Sequence, residues 1–115
     1  LFGLMLNSAN ECASALAVYT AGSIDAFVEM MNEKAQELGA VNTHYMNAHG
    51  LDDDDHYTTA HDMAIIFDAA LKNDVFRYVD STAAYTIPAT NKYGERVKFY
   101  VGRRTRRFEI GVRPF

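Results

Sequence analysis

Residues 8–39 read Ser8-Ala-Asn-Glu-Cys-Ala-Ser-Ala-Leu-Ala-Val-Tyr-Thr-Ala-Gly-Ser-Ile-Asp-Ala-Phe-Val-Glu-Met-Met-Asn-Glu-Lys-Ala-Gln-Glu-Leu-Gly39, and this stretch decides the fold class. After the polar interruption Ser8-Ala9-Asn10, the residues Cys12, Ala15, Leu16 and Tyr19 recur at helical spacing, so a helix is expected with that face turned inward. Gly22 ends it. Ser23 then caps a second helix, Asp25 sits in its first turn, and Phe27, Met30, Met31, Ala35 and Leu38 form its apolar stripe until Gly39 stops it. That stripe reads as core packing, not as a cofactor-binding surface.

Working outward, Leu1-Phe2-Gly3-Leu4-Met5-Leu6 continues the helical pattern upstream. Asn7, Ser8, Asn10 and Glu11 interrupt it far short of the ~20 apolar residues a membrane helix needs. With no capping residue before its first turn, it reads as the cut end of a longer chain. Downstream, a third helix is expected from Thr58 or Thr59, with Asp62 three residues on as an approximate capping box and Met63, Ile66, Phe67, Ala70 and Leu71 on its apolar face. A short helical turn follows at 74–79. Tyr85-Thr86-Ile87 and 96–101 favour strand on either side of Asn91-Lys92-Tyr93-Gly94, a loose hairpin. The expected class is mainly α with a short C-terminal β-hairpin.

At 115 residues, 49% hydrophobic and 23% charged, the chain falls in the globular class as one unit. A unit this small buries a modest share of its surface, so exposed apolar area is expected. The single Cys12 excludes an internal disulfide; with no Lys, Arg or His beside it to lower a thiol pKa, it reads as a small buried hydrophobe, not a nucleophile. Charge divides the chain: residues 1–91 hold three Lys or Arg against thirteen acids, −10, and residues 92–115 hold eight against two, +6. The basic run Gly102-Arg-Arg-Thr-Arg-Arg107 is read as a solvated strand and turn, or a tail that pairs with the acidic body, in preference to a nucleic-acid or anionic-membrane patch.

Two sets of residues carry chemistry. The Ser8 hydroxyl can donate and accept at once, and the Asn10 carboxamide can donate through its NH₂ while its oxygen accepts from an ammonium; the ordinary alternative for both is a helix cap or turn. His44 and His49 lie five residues apart, as do His56 and His61, with Asp52 to Asp55 between them. Metal ligands on one helix face want an offset of three or four, and the Asp run lacks the alternate ligands and central Gly of a calcium loop. No metal and no cofactor are therefore expected. His49-Gly50-Leu51 reads instead as a turn, with Gly50 at positive φ and Leu51 returning to the core.

Taken together, Ser8-Ala9-Asn10, Gly22-Ser-Ile-Asp-Ala-Phe-Val28, Asn42-Thr-His-Tyr-Met-Asn-Ala-His-Gly-Leu-Asp52 and His56-Tyr-Thr-Thr-Ala-His-Asp-Met-Ala64 resemble the low-molecular-mass D-alanyl-D-alanine carboxypeptidases, serine penicillin-binding proteins of bacterial cell walls. The resemblance covers most of residues 1–91 and fades beyond. It implies the helical portion of the α/β fold shared by serine β-lactamases and penicillin-binding proteins, with 1–91 as part of a catalytic domain and 92–115 as a short β and basic tail. It implies a hydrolase of peptidoglycan stem peptides ending in D-Ala-D-Ala, working through an acyl-enzyme that β-lactams also form, outside the cytoplasm. On this reading Ser8 relays a proton, Asn10 is both catalytic and substrate-binding, and His49 lies in a loop near the substrate cleft. The family's Ser-x-x-Lys is absent, since Glu11, Ala17, Ala26 and Ala84 stand three places after Ser8, Ser14, Ser23 and Ser81. Lys92-Tyr93-Gly94 only approaches Lys-Thr-Gly. The chain thus reads as an internal piece of an enzyme, inactive and prone to self-association when isolated, with any membrane contact made by other parts. Alternatives from other classes are a non-catalytic interaction domain and a class A β-lactamase; the latter needs a glutamate to activate the deacylating water.

Overall fold

The computed structural model describes residues 1–99. Five helices come first, α1 Phe2–Asn7, α2 Asn10–Ala21, α3 Ile24–Leu38, α4 Ala60–Leu71 and α5 Asp74–Ser81, followed by β1 Ala84–Ile87 and β2 Arg96–Phe99. The strands pair antiparallel, with Ala84 opposite Phe99 and Ile87 opposite Arg96. Their connection closes where the Thr90 N–H donates to the Tyr93 carbonyl at 2.7 Å. The expected strand residues Tyr100 and Val101 and the basic run 102–107 lie outside the described residues. No helix among those described is long and apolar enough to cross a membrane.

Local chemistry sets the helix ends. Ser23 Oγ accepts from the Ala26 N–H at 3.1 Å, Thr59 Oγ1 from the Asp62 N–H at 3.1 Å, and Asn73 Oδ1 from the Phe76 N–H at 3.0 Å. Each satisfies one of the N–H groups that a helix start leaves open. Gly22 at φ 84° and Gly39 at φ 88° take the left-handed conformation that ends α2 and α3.

The helices pack in sequence, α1 on α2, α2 on α3, α3 on α4 and α4 on α5, while α1 returns against α5 and both strands. Phe2 is the peg of that return. Its ring stacks on Tyr85 at 4.0 Å between centroids and meets Tyr78 edge-on at 5.9 Å.

Which faces turn inward departs from the sequence reading in four places. On α2 the buried line is Ala13 and Ala17, whereas Tyr19 is 90% exposed, Ala15 is exposed and Cys12 is half-buried. α2 packs against both α1 and α3, and small buried residues such as these suit a close helix approach. On α4 the buried residue is Asp62, and Met63 and Phe67 are exposed. The helix is turned so that its carboxylate faces the chain entering from α3. On α3 the expected stripe is present, but only Ala35 is buried; Phe27, Met30, Met31 and Leu38 join Tyr45 and Ile66 along an open groove of about 330 Å³. Leu51, expected to return to the core, is 56% exposed, because Asn47 bonds turn the loop outward. The exposed apolar area expected of so small a unit is present, in Leu1, Val41, Val75 and others.

Candidate functional site

The candidate site begins where α1 stops. Ser8 ends that helix at φ 49°, ψ 42°, the one residue other than glycine with positive φ among those described. Its N–H donates to the Leu4 carbonyl at 2.9 Å and the Ala9 N–H to the Gly3 carbonyl at 3.3 Å. Ala9 is extended, and α2 restarts at Asn10 with Cys12 and Ala13 donating to the Ala9 carbonyl at 3.0 and 3.2 Å. The two helices are held close at this bend, since a methyl on Gly3 would stand 2.8 Å from Cys12 Sγ. A left-handed serine costs about 1–2 kcal/mol relative to an ordinary conformation.

The left-handed turn closes two backbone bonds at the end of α1, and the Ser8 and Asn10 side chains take no part in them. Ser8 is exposed, Asn10 is half-buried, and among the described residues neither side chain takes a hydrogen-bond partner. Neither caps α2, whose N-cap is Ala9 with no side-chain bond. Ser8 does end α1 as its left-handed C-cap, through its backbone, while neither side chain caps a helix among the described residues.

His49 belongs to a separate element, the loop between α3 and α4. Asn47 Oδ1 accepts from the Gly50 N–H at 2.7 Å and the His49 N–H at 3.3 Å, and its Nδ2 donates to the Leu51 carbonyl at 2.9 Å. Gly50 takes φ 80°, as the turn reading required. His49 Nδ1 accepts from the Leu51 N–H at 3.3 Å, which leaves the hydrogen of the neutral imidazole on Nε2. No hydrogen bond joins His49 to Ser8 or Asn10 among the described residues. The other three imidazoles are engaged: His44 Nδ1 with the Asp55 carbonyl at 2.7 Å, His56 Nδ1 with the Met46 N–H at 3.2 Å, and His61 Nδ1 with Asp62 at 3.5 Å. No three His, Cys, Asp or Glu side chains gather as a metal site among the described residues.

The residue that the sequence reading missed is Asp62, which it took for a capping partner alone. Asp62 is 1% exposed. Its Oδ2 accepts from the Asn42 N–H at 2.7 Å and from Thr43 Oγ1 at 2.9 Å. Burial by itself pushes this carboxyl up, but hydrogen bonds with Thr43, Asn42, His61 and Thr59 outweigh it and hold the group below the usual carboxylate range. Tyr45 nearby is pushed above the usual phenol value, first by burial and then by the Asp62 charge. The capping-box spacing from Thr59 was visible in the sequence. A partner twenty residues upstream was not.

The family model for D-alanyl-D-alanine carboxypeptidase matches residues 1–98. The chain belongs to the D-alanyl-D-alanine carboxypeptidase family. Within that family it is 45% identical over 71 residues to the D-alanyl-D-alanine carboxypeptidase DacA of Escherichia coli K12, covering 62% of this chain and 18% of that protein. It is 35% identical over 109 residues to DacF of Bacillus subtilis, covering 89% of this chain and 28% of that one. The crystal structure of a D-alanyl-D-alanine carboxypeptidase from Mycobacterium tuberculosis H37Rv superposes with a TM-score of 0.82 at 35% identity, over 95% of this chain and 41% of that structure. The chain thus spans under a third of each of these two curated carboxypeptidases. Its described residues are the helical portion of the penicillin-binding-protein, transpeptidase-like fold.

Proposed function

We propose that this chain supplies the Ser-x-Asn element and the surrounding helices of a serine-type D-alanyl-D-alanine carboxypeptidase that trims peptidoglycan stem peptides through an acyl-enzyme. One observation carries the reading: Ser8 is held in a strained conformation, beside Asn10, with both side chains uncommitted, inside the segment that matches the family. In the complete enzyme the Ser8 hydroxyl accepts a proton from the lysine of the nucleophile motif and donates its own to the departing D-alanine amine. Asn10 accepts from that lysine through its oxygen and donates to the substrate's peptide carbonyl. His49 offers its Nε2–H to the substrate.

The nucleophilic serine and its lysine are not in this chain, so residues 1–91 act as part of a catalytic domain and 92–115 as a short β and basic tail. β-Lactams acylate the same enzyme, which works outside the cytoplasm, needs no cofactor and binds no nucleic acid. The isolated chain self-associates through its hairpin, where each strand of the two-stranded sheet has one edge without a neighbour among the described residues.

The test has two arms. The 115-residue chain should release no D-alanine from a diacetyl-Lys-D-Ala-D-Ala peptide and take no covalent label from a fluorescent penicillin. In the complete enzyme, Ser8→Ala or Asn10→Ala should lower turnover by about 10²-fold or more with thermal unfolding unchanged. A stoichiometric penicillin adduct on the short chain, or near-normal turnover in either variant, would contradict the proposal.

A further inference from the structure

Between α3 and α4 the chain leaves the helices at Ala40 and re-enters at Thr59, and the two arms of this excursion meet at one carboxylate. On the outgoing arm the Asn42 N–H and Thr43 Oγ1 both donate to Asp62 Oδ2. Since the carboxylate takes the single hydroxyl hydrogen of Thr43, the 2.9 Å contact between Thr43 Oγ1 and Thr58 Oγ1 must be donated by Thr58, on the returning arm. Thr59, next along, caps the helix that carries Asp62. One turn further out, His44 and Tyr57 exchange two backbone bonds at 2.8 and 3.0 Å and close the neck. Among the described residues no Lys or Arg pairs with the buried carboxylate; beside the long 3.5 Å contact of Oδ1 with His61, these donors are what keep it there.

We infer that Asp62 is the positioning residue of the 42–59 loop: through Asn42 and Thr43 it clamps the loop's neck and so fixes His49 in the place from which it meets substrate. This rests on the reading of His49 given above. Asp62 itself touches no substrate. A salt bridge or an apolar side chain at this position holds the arms less well. A carboxylate oxygen accepts from the two donors at once, and both donors lie on the one arm whose direction sets the loop.

The experiment compares Asp62→Ala, Thr43→Val and Asp62→Asn, the last keeping an oxygen able to accept from both donors. In the 115-residue chain, Asp62→Ala should speed amide exchange at His44, Gly50 and Tyr57 by about tenfold or more relative to amides inside α3. Thr43→Val should do so to a smaller degree, and Asp62→Asn should restore most of the protection. An equal increase in loop and α3 amides, or none in the loop, would overturn the inference. In the complete enzyme, Asp62→Ala should raise KM for the D-Ala-D-Ala peptide about as much as His49→Ala does, with kcat little changed. The double variant should be no worse than His49→Ala alone. Fully additive effects would overturn the positioning role. A His49→Ala enzyme with unaltered KM would remove His49 from the substrate site, and the exchange data would then decide the clamp on their own.

Discussion

The α1–α2 junction and the Asp62 node use similar side chains, small hydroxyls with an amide or carboxylate, and treat them in opposite ways. At the node the Thr43 and Thr58 hydroxyls and the Asn42 N–H end on one another or on a carboxylate sealed from water, and Thr59 Oγ1 accepts from the Asp62 N–H. At the junction the backbone is bent into a conformation serine dislikes, and the Ser8 and Asn10 side chains are left without partners among the described residues. Satisfied groups hold shape; unsatisfied groups on a fixed backbone remain available to bind and to transfer protons. On the proposed function, the difference separates side chains that hold the fold from side chains the fold presents.

The strongest way to break the comparison at the node is acid. Asp62 sits below the usual carboxylate range when folded, whereas in the unfolded chain it titrates near the ordinary value of about 3.9. As pH falls from there, the unfolded state takes up the proton first, so stability drops and goes on dropping until the folded carboxyl is protonated too. Urea unfolding between pH 5 and the low end of the accessible range should therefore show a steeper acid limb for the wild type than for Asp62→Asn. Equal limbs would mean the node does not depend on its charge.

Smaller effects sharpen the same contrast among the caps. Ser23 only caps a helix, and Ser23→Ala should cost about 1 kcal/mol. Thr59 caps α4 and also backs Asp62, so Thr59→Ala should cost more than Ser23→Ala. Chemical denaturation with an unchanged m-value is the measurement, and equal losses would show the node adding nothing to an ordinary cap.

Much of the scaffold was legible because it is local. Ser23, Gly22 and Gly39 bound α3 through chemistry within a few residues of each other, and Thr59 with Asp62 announces α4 in the same way. Inward faces were not legible wherever a partner decided them: Tyr19 loses to the close approach that Ala13 and Ala17 permit, and Met63 loses to Asp62. The site was half legible. Ser8 and Asn10 stood out as a pair, but nothing in the residue types foretold a left-handed serine, since Gly or Asn is the usual occupant of that conformation. Asp62 was hidden because its meaning lies in Asn42 and Thr43, far along the chain and close only after folding.

Ser8→Gly in the complete enzyme tests the central contrast most directly, because strain and chemistry respond to it in opposite directions. Glycine takes φ 49° without a side-chain clash, so the variant should gain about 0.5–1 kcal/mol of stability after its greater unfolded-state entropy is set against the relief. Without the hydroxyl, D-alanine release should fall by about 10²-fold or more. A variant that is both more stable and nearly inactive is the predicted result. Normal turnover would show that the reaction does not need the Ser8 hydroxyl, and a loss of stability would show that the Ser8 side chain serves the fold; either would contradict the account.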